Sequence, residues 1–352
     1  MTIIVRPALP TDEAVVRALL EQRDHRCYDT STREPLLPAL DPTQGRLWLA
    51  TEGHTVLGMS GVLTRQLEYG RKIWQAAYWV DLYVDPNHKH QAVYPQLVTA
   101  MLQHARDHRI DVVYTATRRR RVWQGHMQLG FRLANVLPVY ARPISPLRLG
   151  VRMARQKRLL KVATGLDRLY RASRNWLRHS PNQYKVEIRN FDEPTVTTML
   201  ELRDRFTRGR LRQSTSLAGY MRRHEKNLEQ MPYVPLLAHR DGQVAAFATY
   251  RLADRDKDIR AAVLMDMAWL PGHQSALPEL LRQIEQRAAA DGAEIMISLP
   301  GTEECGAMLE EEGFFASPET YVLLAWPTPG IAPVEIWRAG HWAFSFADHD
   351  AF

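Results

Sequence analysis

Cysteine is scarce in this 352-residue sequence, which has only Cys27 and Cys305, far apart along the chain. Two distant cysteines are too few for a disulfide scaffold or a metal cluster, and they favour a reducing, cytoplasmic location. Long apolar runs are also missing, since none reaches the roughly 18 to 20 residues of a membrane-spanning helix. Residues 1–16 turn acidic early and lack the layout of a signal peptide. The sequence therefore predicts a globular protein of the cytoplasm.

The composition is that of a folded protein, with 45% hydrophobic and 24% charged residues. A chain of this length predicts two domains, each able to bury its own core. The net charge of +7 is unevenly distributed, because residues 147–180 contain ten Lys or Arg residues and a single acid, Asp167. Apolar residues are interleaved with these cations. This basic segment therefore requires an explanation of its own.

The two halves of the sequence resemble each other. Three pairs of segments match at one constant offset: 90–97 with 273–280, 111–117 with 294–300, and 129–131 with 312–314. Two further pairs match upstream at slightly different offsets: 19–24 with 199–204, and 49–61 with 237–249. Five matches in the same order predict an internal duplication.

Each half also predicts the same order of elements. In the first half, a strand at 3–8 precedes a helix at 11–24, and apolar runs then predict three strands up to Val84. Helical apolar spacing predicts a helix from 91 to 108, and a strand, a short helix and a final strand follow. The order β-α-β-β-β-α-β-α-β recurs between about residues 185 and 326.

This order resembles that of the GNAT superfamily of acyl-CoA-dependent N-acetyltransferases. The resemblance rests on Val84-Asp85-Pro86, which ends a strand before a loop and helix, and on Leu129-Gly130-Phe131, which ends a later helix. The second half has Leu270-Pro271 and Glu312-Gly313-Phe314 at the corresponding places. The implied fold is α+β with a mixed sheet, in two tandem GNAT domains. The expected division is 1–146 and 184–327 for the domains, 147–183 for a basic helical connector, and 328–352 for an aromatic tail packed on a domain.

In the superfamily, a glycine-containing loop and the helix after it hold the pyrophosphate of CoA with backbone N–H groups. Here the loop at 87–94 has no glycine, and the loop at 272–277 has one at a different place. The first half nevertheless carries cations suited to phosphates in its loop and at 118–121, whereas the matching residues 301–304 are acidic. The resemblance implies acetyl-CoA or another acyl-CoA as co-substrate and no metal. The expected binding residues are Tyr83, Val84, His88, Lys89, His90, Gln91, Ala92, Arg118 and Arg119.

Two side chains of the first half are candidates for acid–base chemistry. Asp81 is a carboxylate in an apolar strand, where burial is costly without a partner, so it is the predicted base. A structural pairing with a nearby Arg or Tyr is the alternative, and the matching Asp266 favours such a structural role equally. His126 stands where the superfamily often has a tyrosine acid, and histidine exchanges protons near neutral pH. The matching Leu309 cannot do so.

The basic connector has three explanations. The first is a pair of linking helices whose apolar face packs on the domains; the second is contact with an anionic membrane surface through 147–180. Nucleic acid is the least favoured partner. In the tail, His341, Asp348, His349 and Asp350 match no trusted metal-site spacing.

The sequence therefore predicts an N-acyltransferase that transfers an acyl group directly to an amine acceptor, a small molecule or a peptide, in its first half. Three alternatives remain at this point. The chain is a catalytically inactive GNAT-fold binding protein, or an aminoacyl-tRNA-dependent transferase, or an acyltransferase that works at a membrane surface. The sequence leaves the oligomeric state open.

Overall fold

A computed structural model describes residues 2–25, 39, 41–88, 92–177, 183–225, 232–255, 258–328, 334–338 and 340–349. The first repeat has the predicted order of strands and helices. Its elements are β1 (Ile4–Pro7), α1 (Glu13–His25), β2 (Gly45–Glu52), β3 (Thr55–Tyr69), β4 (Lys72–Val84), α2 (Val93–Asp107), β5 (Val112–Thr117), α3 (Arg120–Gln128) and β6 (Arg132–Pro143).

The connector forms two helices, α4 (Pro146–Met153) and α5 (Leu160–Leu177). The second repeat follows with the same order of elements. A short strand and a helix are inserted between its first helix and the strand that comes next in this order. Its elements are β7 (Lys185–Ile188), α6 (Glu193–Phe206), β8 (Leu211–Ser214), α7 (Leu217–Glu225), β9 (Val234–Arg240), β10 (Gln243–Arg255), β11 (Ile259–Trp269), α8 (Leu277–Ala290), β12 (Ile295–Ser298), α9 (Glu303–Glu311) and β13 (Phe315–Pro327), with β14 (Trp342–Ala343) in the tail.

The chain folds into two compact units that are not continuous in sequence. Unit 1 comprises Met1–Leu137, Gly209–Ser214 and Thr320–Trp342. Unit 2 comprises Pro138–Arg208, Thr215–Glu319 and Ala343–Phe352. In unit 1 the strands lie in the order β1-β2-β3-β4-β5-β13, with β8 beside β3; in unit 2 the order is β6-β12-β11-β10-β9-β7.

The last strand of each repeat completes the sheet of the other unit. Val322–Pro327 of β13 pair antiparallel with β5 in unit 1. Tyr140–Pro143 of β6 pair antiparallel with β12 in unit 2. The division into 1–146 and 184–327 keeps each last strand with its own repeat, so it does not coincide with the two units. Pairing between residues 152 to 215 positions apart leaves no trace in local sequence patterns.

The core of unit 1 forms where α2 packs on the sheet. The helix buries the residues that its apolar spacing predicts to face inward: Val93, Leu97, Val98, Met101, Leu102 and Ala105. They contact the apolar residues of β2, β4 and β5, including Trp48, Trp79 and Val113. Full burial of one such side chain contributes roughly 1.5–3 kcal/mol. This packing fixes the start of α2 beside the end of β4.

Each unit has a parallel strand pair in which the pairing stops before the longer strand ends. In unit 1, β4 and β5 pair only over Ala76–Tyr78 and Val112–Tyr114. In unit 2, β11 and β12 pair over Ala261–Leu264 and Ile295–Ser298. Both β4 and β11 carry a register shift just beyond this pairing. Beyond the paired residues a gap therefore opens beside the backbone of β4 and of β11.

Candidate functional site

Asp81 lies at the register shift of β4, next to the point where β4 and β5 separate. Asp81 and Leu82 together face the single residue Ser60 of β3, which makes the shift a β-bulge. The backbone of Asp81 has φ 53°, in the left-handed region that costs a non-glycine residue roughly 1–2 kcal/mol. Its side chain is half-buried. Backbone strain of this kind is concentrated at functional sites.

Near Asp81, the predicted binding residues Tyr83 and Val84 end β4. Tyr83 is buried, and its hydroxyl donates a hydrogen bond to Oε1 of Gln22 on α1, at 3.4 Å. Val84 packs against the core beneath α2. These residues therefore join the end of β4 to helices on the two faces of the sheet.

The loop after β4 reaches α2 through a left-handed residue. Ala92 precedes the helix with φ 55°. Glycine adopts this conformation without penalty, so alanine occupies a position that favours glycine. Ala92 is the N-cap residue of α2, and its methyl group cannot accept a hydrogen bond from the first N–H groups of the helix. His88 is half-buried in a short 3-10 turn after β4. The predicted residues Lys89, His90 and Gln91 lie outside the described residues.

His126 is buried, and it is hydrogen-bonded to a tyrosine that the sequence alone did not single out. A bond of 2.7 Å joins its Nδ1 to the hydroxyl of Tyr94, near the start of α2. The His126 ring also packs on Trp79, with centroids 4.1 Å apart. Burial lowers the pKa of His126 to about 3 and raises that of Tyr94. The imidazole is therefore neutral at pH 7, so the predicted proton exchange near neutrality does not follow from its surroundings.

Space for the Tyr94 ring comes from a glycine inside α3. A Cβ at Gly125 would lie 3.3 Å from the Tyr94 hydroxyl oxygen and 3.4 Å from a ring carbon. Glycine inside a helix costs about 1 kcal/mol relative to alanine. The glycine is explained by the close approach of the ring. The phenol is thus held between α2 and α3, and it is half-buried.

The start of α3 is basic and uncapped. Arg119 is the N-cap residue and makes no side-chain cap, and the first turn contains no acid. Arg118 is half-buried, whereas Arg119, Arg120 and Arg121 are exposed. Cations at a helix N-terminus oppose the helix dipole, and a bound anion would relieve this cost. The predicted residues Arg118 and Arg119 therefore lie at a start that favours negatively charged groups.

In the second unit the corresponding helix start is satisfied by its own residues. Thr302 caps α9 by accepting a hydrogen bond from the backbone N–H of Cys305, at 3.3 Å. Glu303 and Glu304 complete the first turn and suit the helix dipole. Before α8, the hydroxyl of Tyr184 lies 3.2 Å from His273 Nδ1 and 3.2 Å from Ser275 Oγ. Both loops that would face a phosphate are thus occupied by internal contacts.

The tail of unit 2 contacts β11 and the residues just after β12, beyond the point where the pairing of these strands ends. The N–H of Phe344 donates to the carbonyl of Gly301, just after β12, at 3.0 Å. The N–H of Ala347 donates to the carbonyl of Met265 on β11, at 2.9 Å. Phe344 and Phe346 are buried. The tail therefore bridges the gap that in unit 1 lies between β4 and the end of β5.

Asp266 is the positional counterpart of Asp81, and it is enclosed in an ionic network with the tail. Nε of Arg203 lies 3.3 Å from a carboxylate oxygen of Asp266, and Nη2 donates to both oxygens of Asp348, at 2.6 and 2.7 Å. Burial raises the pKa of Asp266 to about 6, although Arg203 opposes this effect. The alternative explanation by an ion pair thus applies to Asp266.

Several of these residues were missed by sequence reasoning, for physical reasons. Tyr94 and His126 are in contact although 32 positions separate them along the chain. Arg203 and Asp348 meet across 145 positions. A usable signal existed for Tyr94, because Gly125 interrupts a short helix beside His126. Among the described residues, no group of three or more His, Cys, Asp or Glu side chains is arranged to hold a metal ion.

Comparison with known proteins agrees with this geometry. The model of the GNAT acetyltransferase family matches residues 13–131, the part of the first repeat that contains Asp81 and His126. No curated protein sequence matches the chain. Among the parts of the chain that the structure describes, no helix is both long and apolar enough to cross a membrane.

Three solved structures share the fold at low sequence identity. A probable N-acyltransferase of unknown function from Enterococcus faecalis V583 has a TM-score of 0.62 at 9% identity, covering 93% of this chain and 73% of its own. A GCN5-related N-acetyltransferase from Anabaena variabilis has a TM-score of 0.61 at 10% identity, with 92% and 72% covered. Saccharomyces cerevisiae N-myristoyltransferase with bound myristoyl-CoA has a TM-score of 0.61 at 12% identity, with 97% and 84% covered. Residues 13–131 thus match the GNAT acetyltransferase family, and the chain as a whole shares its fold with solved N-acyltransferases of this kind.

Proposed function

We propose that the protein is an acyl-CoA-dependent N-acyltransferase that transfers an acyl group directly to an amine, with its active site in unit 1 beside the bulge of β4. The observation that carries this placement is the tail, which bridges β11 and β12 in unit 2 by hydrogen bonds from Phe344 and Ala347. In the family, the equivalent gap receives the co-substrate. Unit 2 fills this gap with its own chain, so we assign the co-substrate to unit 1.

The residues present in unit 1 fit a ligand that carries phosphate groups. The N-terminus of α2, entered through the left-handed Ala92, presents backbone N–H groups. The first turn of α3 contains no acidic residue, and Arg119 and Arg120 at its start are exposed. The half-buried His88 lies in the short turn just after β4. The thioester of the co-substrate supplies an electrophilic acyl carbon when it is bound.

We assign the two proton transfers to Asp81 and Tyr94. Asp81, half-buried at the bulge, accepts a proton from the incoming ammonium, directly or through water, and so frees the amine to attack. Tyr94 donates its phenolic proton toward the leaving thiolate. For this, His126 is protonated on Nδ1, and its Nδ1–H group donates a hydrogen bond to the Tyr94 oxygen. The phenolic proton of Tyr94 then remains available for transfer. His126 is then a positioning residue rather than the acid, because its ring stays neutral.

The experiment is a transfer assay with acetyl-CoA and myristoyl-CoA, each offered with a panel of small amines and peptides with free N-termini. Release of free thiol and the mass of the acylated amine are measured together. The Tyr94→Phe variant should lower kcat about a hundredfold, whereas the matched Tyr184→Phe variant in unit 2 should leave it unchanged. Failure of both acyl-CoAs to bind or react would overturn the proposal. Binding without transfer would support the inactive binding protein, and transfer that requires aminoacyl-tRNA would support that rival.

A further inference from the structure

Helix α5 of the connector exposes a stripe of apolar side chains. Five residues on it and just before it are between 43% and 69% exposed: Leu159, Val162, Leu166, Leu169 and Tyr170. Their spacing of three, four and one residues places them on one side of an α-helix. Single exposed apolar residues are ordinary on a protein surface, but a continuous stripe of this size marks an interaction site.

The packed side of α5 is small and differs from the exposed stripe. Among the described side chains of the helix, Ala163 and Asp167 are the buried ones. The Asp167 carboxylate accepts hydrogen bonds from the backbone N–H groups of Leu147 and Arg148 at the start of α4, at 3.1 and 2.8 Å. The explanation favoured from sequence, in which the apolar face of the connector packs on the domains, therefore does not describe this helix.

The charge of the exposed side is positive. Asp167 is the sole acid between residues 147 and 180, and it is buried, so the exposed side of α5 carries no carboxylate of its own. Arg158, Lys161 and Arg168 are exposed beside the apolar stripe. By contrast, Arg148 and Arg152 of α4 pair with the buried Glu294 within unit 2, at 2.9 and 2.6 Å. One group of cations in the connector is therefore paired within unit 2, and another group is exposed.

We propose that α5 docks on an anionic lipid surface, with the apolar stripe inserted at the boundary between the headgroups and the acyl chains. A helix with an apolar stripe flanked by cations lies in the plane of such an interface. Long Lys and Arg side chains reach the headgroup phosphates while their aliphatic stems stay in the apolar layer. A second copy of the chain is a less suitable occupant, because pairing two such stripes brings like charges together.

The test is flotation of the full chain with vesicles of phosphatidylcholine alone and of phosphatidylcholine mixed with phosphatidylserine. The wild-type protein should float with the mixed vesicles and lose binding at high salt. One variant combines Val162→Ser, Leu166→Ser and Leu169→Ser; another combines Arg158→Gln, Lys161→Gln and Arg168→Gln. The charge variant should bind the mixed vesicles about a hundredfold more weakly, and the apolar variant should not float.

A control variant, Ile73→Ser with Phe315→Ser, removes two equally exposed apolar residues elsewhere and should bind as the wild type does. Thermal unfolding checks that all variants remain folded, which their exposed positions favour. The proposal would be overturned if the wild-type protein stayed in the bottom fraction of the gradient with the mixed vesicles. It would also be overturned if the variant with Val162→Ser, Leu166→Ser and Leu169→Ser floated as well as the wild type. Concentration-dependent dimerisation that the serine variant abolishes, without flotation, would replace lipid by a second copy. Acyl-CoA binding is unaffected in every case, so this test is independent of the proposed reaction.

Discussion

The two repeats place an aspartate at the same position of the same strand, yet surround it differently. In unit 1, Asp81 is half-buried and has a left-handed backbone next to the separation of β4 and β5. In unit 2, Asp266 is buried against Arg203, and the tail closes the region above it. The strand position alone therefore does not define a catalytic residue. What covers the position differs between the two units, and our proposal assigns the ligand only to the half-buried carboxylate of unit 1.

The other equivalent positions differ in the same direction. The hydrogen-bonded pair Tyr94 and His126 in unit 1 matches two fully buried leucines, Leu277 and Leu309, in unit 2. The uncapped basic start of α3 matches the capped acidic start of α9. At these positions unit 2 has buried leucines and a capped helix, whereas unit 1 has a polar pair and a basic helix start.

The largest expected effect separates the two aspartates by their role in the reaction. Asp81→Asn should lower kcat by a factor of about 10² to 10⁴, the usual contribution of a general base, with little change in the binding of acyl-CoA. Asp266→Asn should leave kcat unchanged, because that side chain lies in the network with Arg203. Steady-state kinetics of thiol release measure both. Equal losses of kcat in the two variants would remove the distinction between the units.

Next in size is the loss of the cation in unit 2. Arg203→Leu leaves Asp266 and Asp348 buried without a positive partner, which should lower the free energy of unfolding by about 3–5 kcal/mol. The tail should also become sensitive to protease, since Asp348 is one of its anchors. Arg205→Leu, two residues along α6 and exposed, is the matched control. Urea unfolding and limited proteolysis are the measurements, and a loss below about 1 kcal/mol would contradict the account.

The pair of Tyr94 and His126 should make the stability of the protein depend on pH. The equivalent leucines of unit 2 do not titrate and contribute no such dependence. Because the folded-state pKa of His126, about 3, lies below its ordinary value, its contribution to stability is complete above pH 6.5 and is lost as the pH falls toward 3. Between pH 7 and pH 5 this amounts to about 2 kcal/mol.

The variant that combines Tyr94→Leu with His126→Leu copies the leucines of unit 2 and should lose this part of the pH dependence. Urea unfolding of both proteins at the two pH values provides the measurement. If the variant and the wild type lose the same free energy of unfolding on acidification, the imidazole is not held neutral by its surroundings.

The smallest effect concerns the starts of α3 and α9. Thr302→Ala removes the cap of α9 and should cost about 1 kcal/mol of stability. Arg119→Asp supplies a cap that α3 lacks and should gain a similar amount, while it weakens acyl-CoA binding. Thermal unfolding and ligand titration measure the two changes. Stabilisation by Arg119→Asp with unchanged binding would show that the basic start of α3 does not serve the ligand.

Local features of the fold were predictable from sequence, and long-range features were not. The order of elements and the inner face of α2 follow from apolar spacing, which each segment carries by itself. The exchange of β6 and β13 between units depends on pairing across the whole chain. The exposure of α5 was also unpredictable, because an amphipathic helix has the same pattern whether its apolar side meets protein or another partner. At the site, residue types indicated Asp81 and His126, but only the structure reveals Tyr94 beside His126.

The most direct test of the central claim is the number of CoA sites in each chain. Isothermal titration calorimetry with acetyl-CoA and free CoA should give one molecule bound per chain, in unit 1. A variant in which Arg118, Arg119, Arg120 and Arg121 are changed to glutamine should bind at least about tenfold more weakly. The matched variant Arg158→Gln with Arg168→Gln, on α5, should bind normally. Two molecules per chain, or a single site that the arginine variant leaves intact, would contradict the assignment of the co-substrate to unit 1.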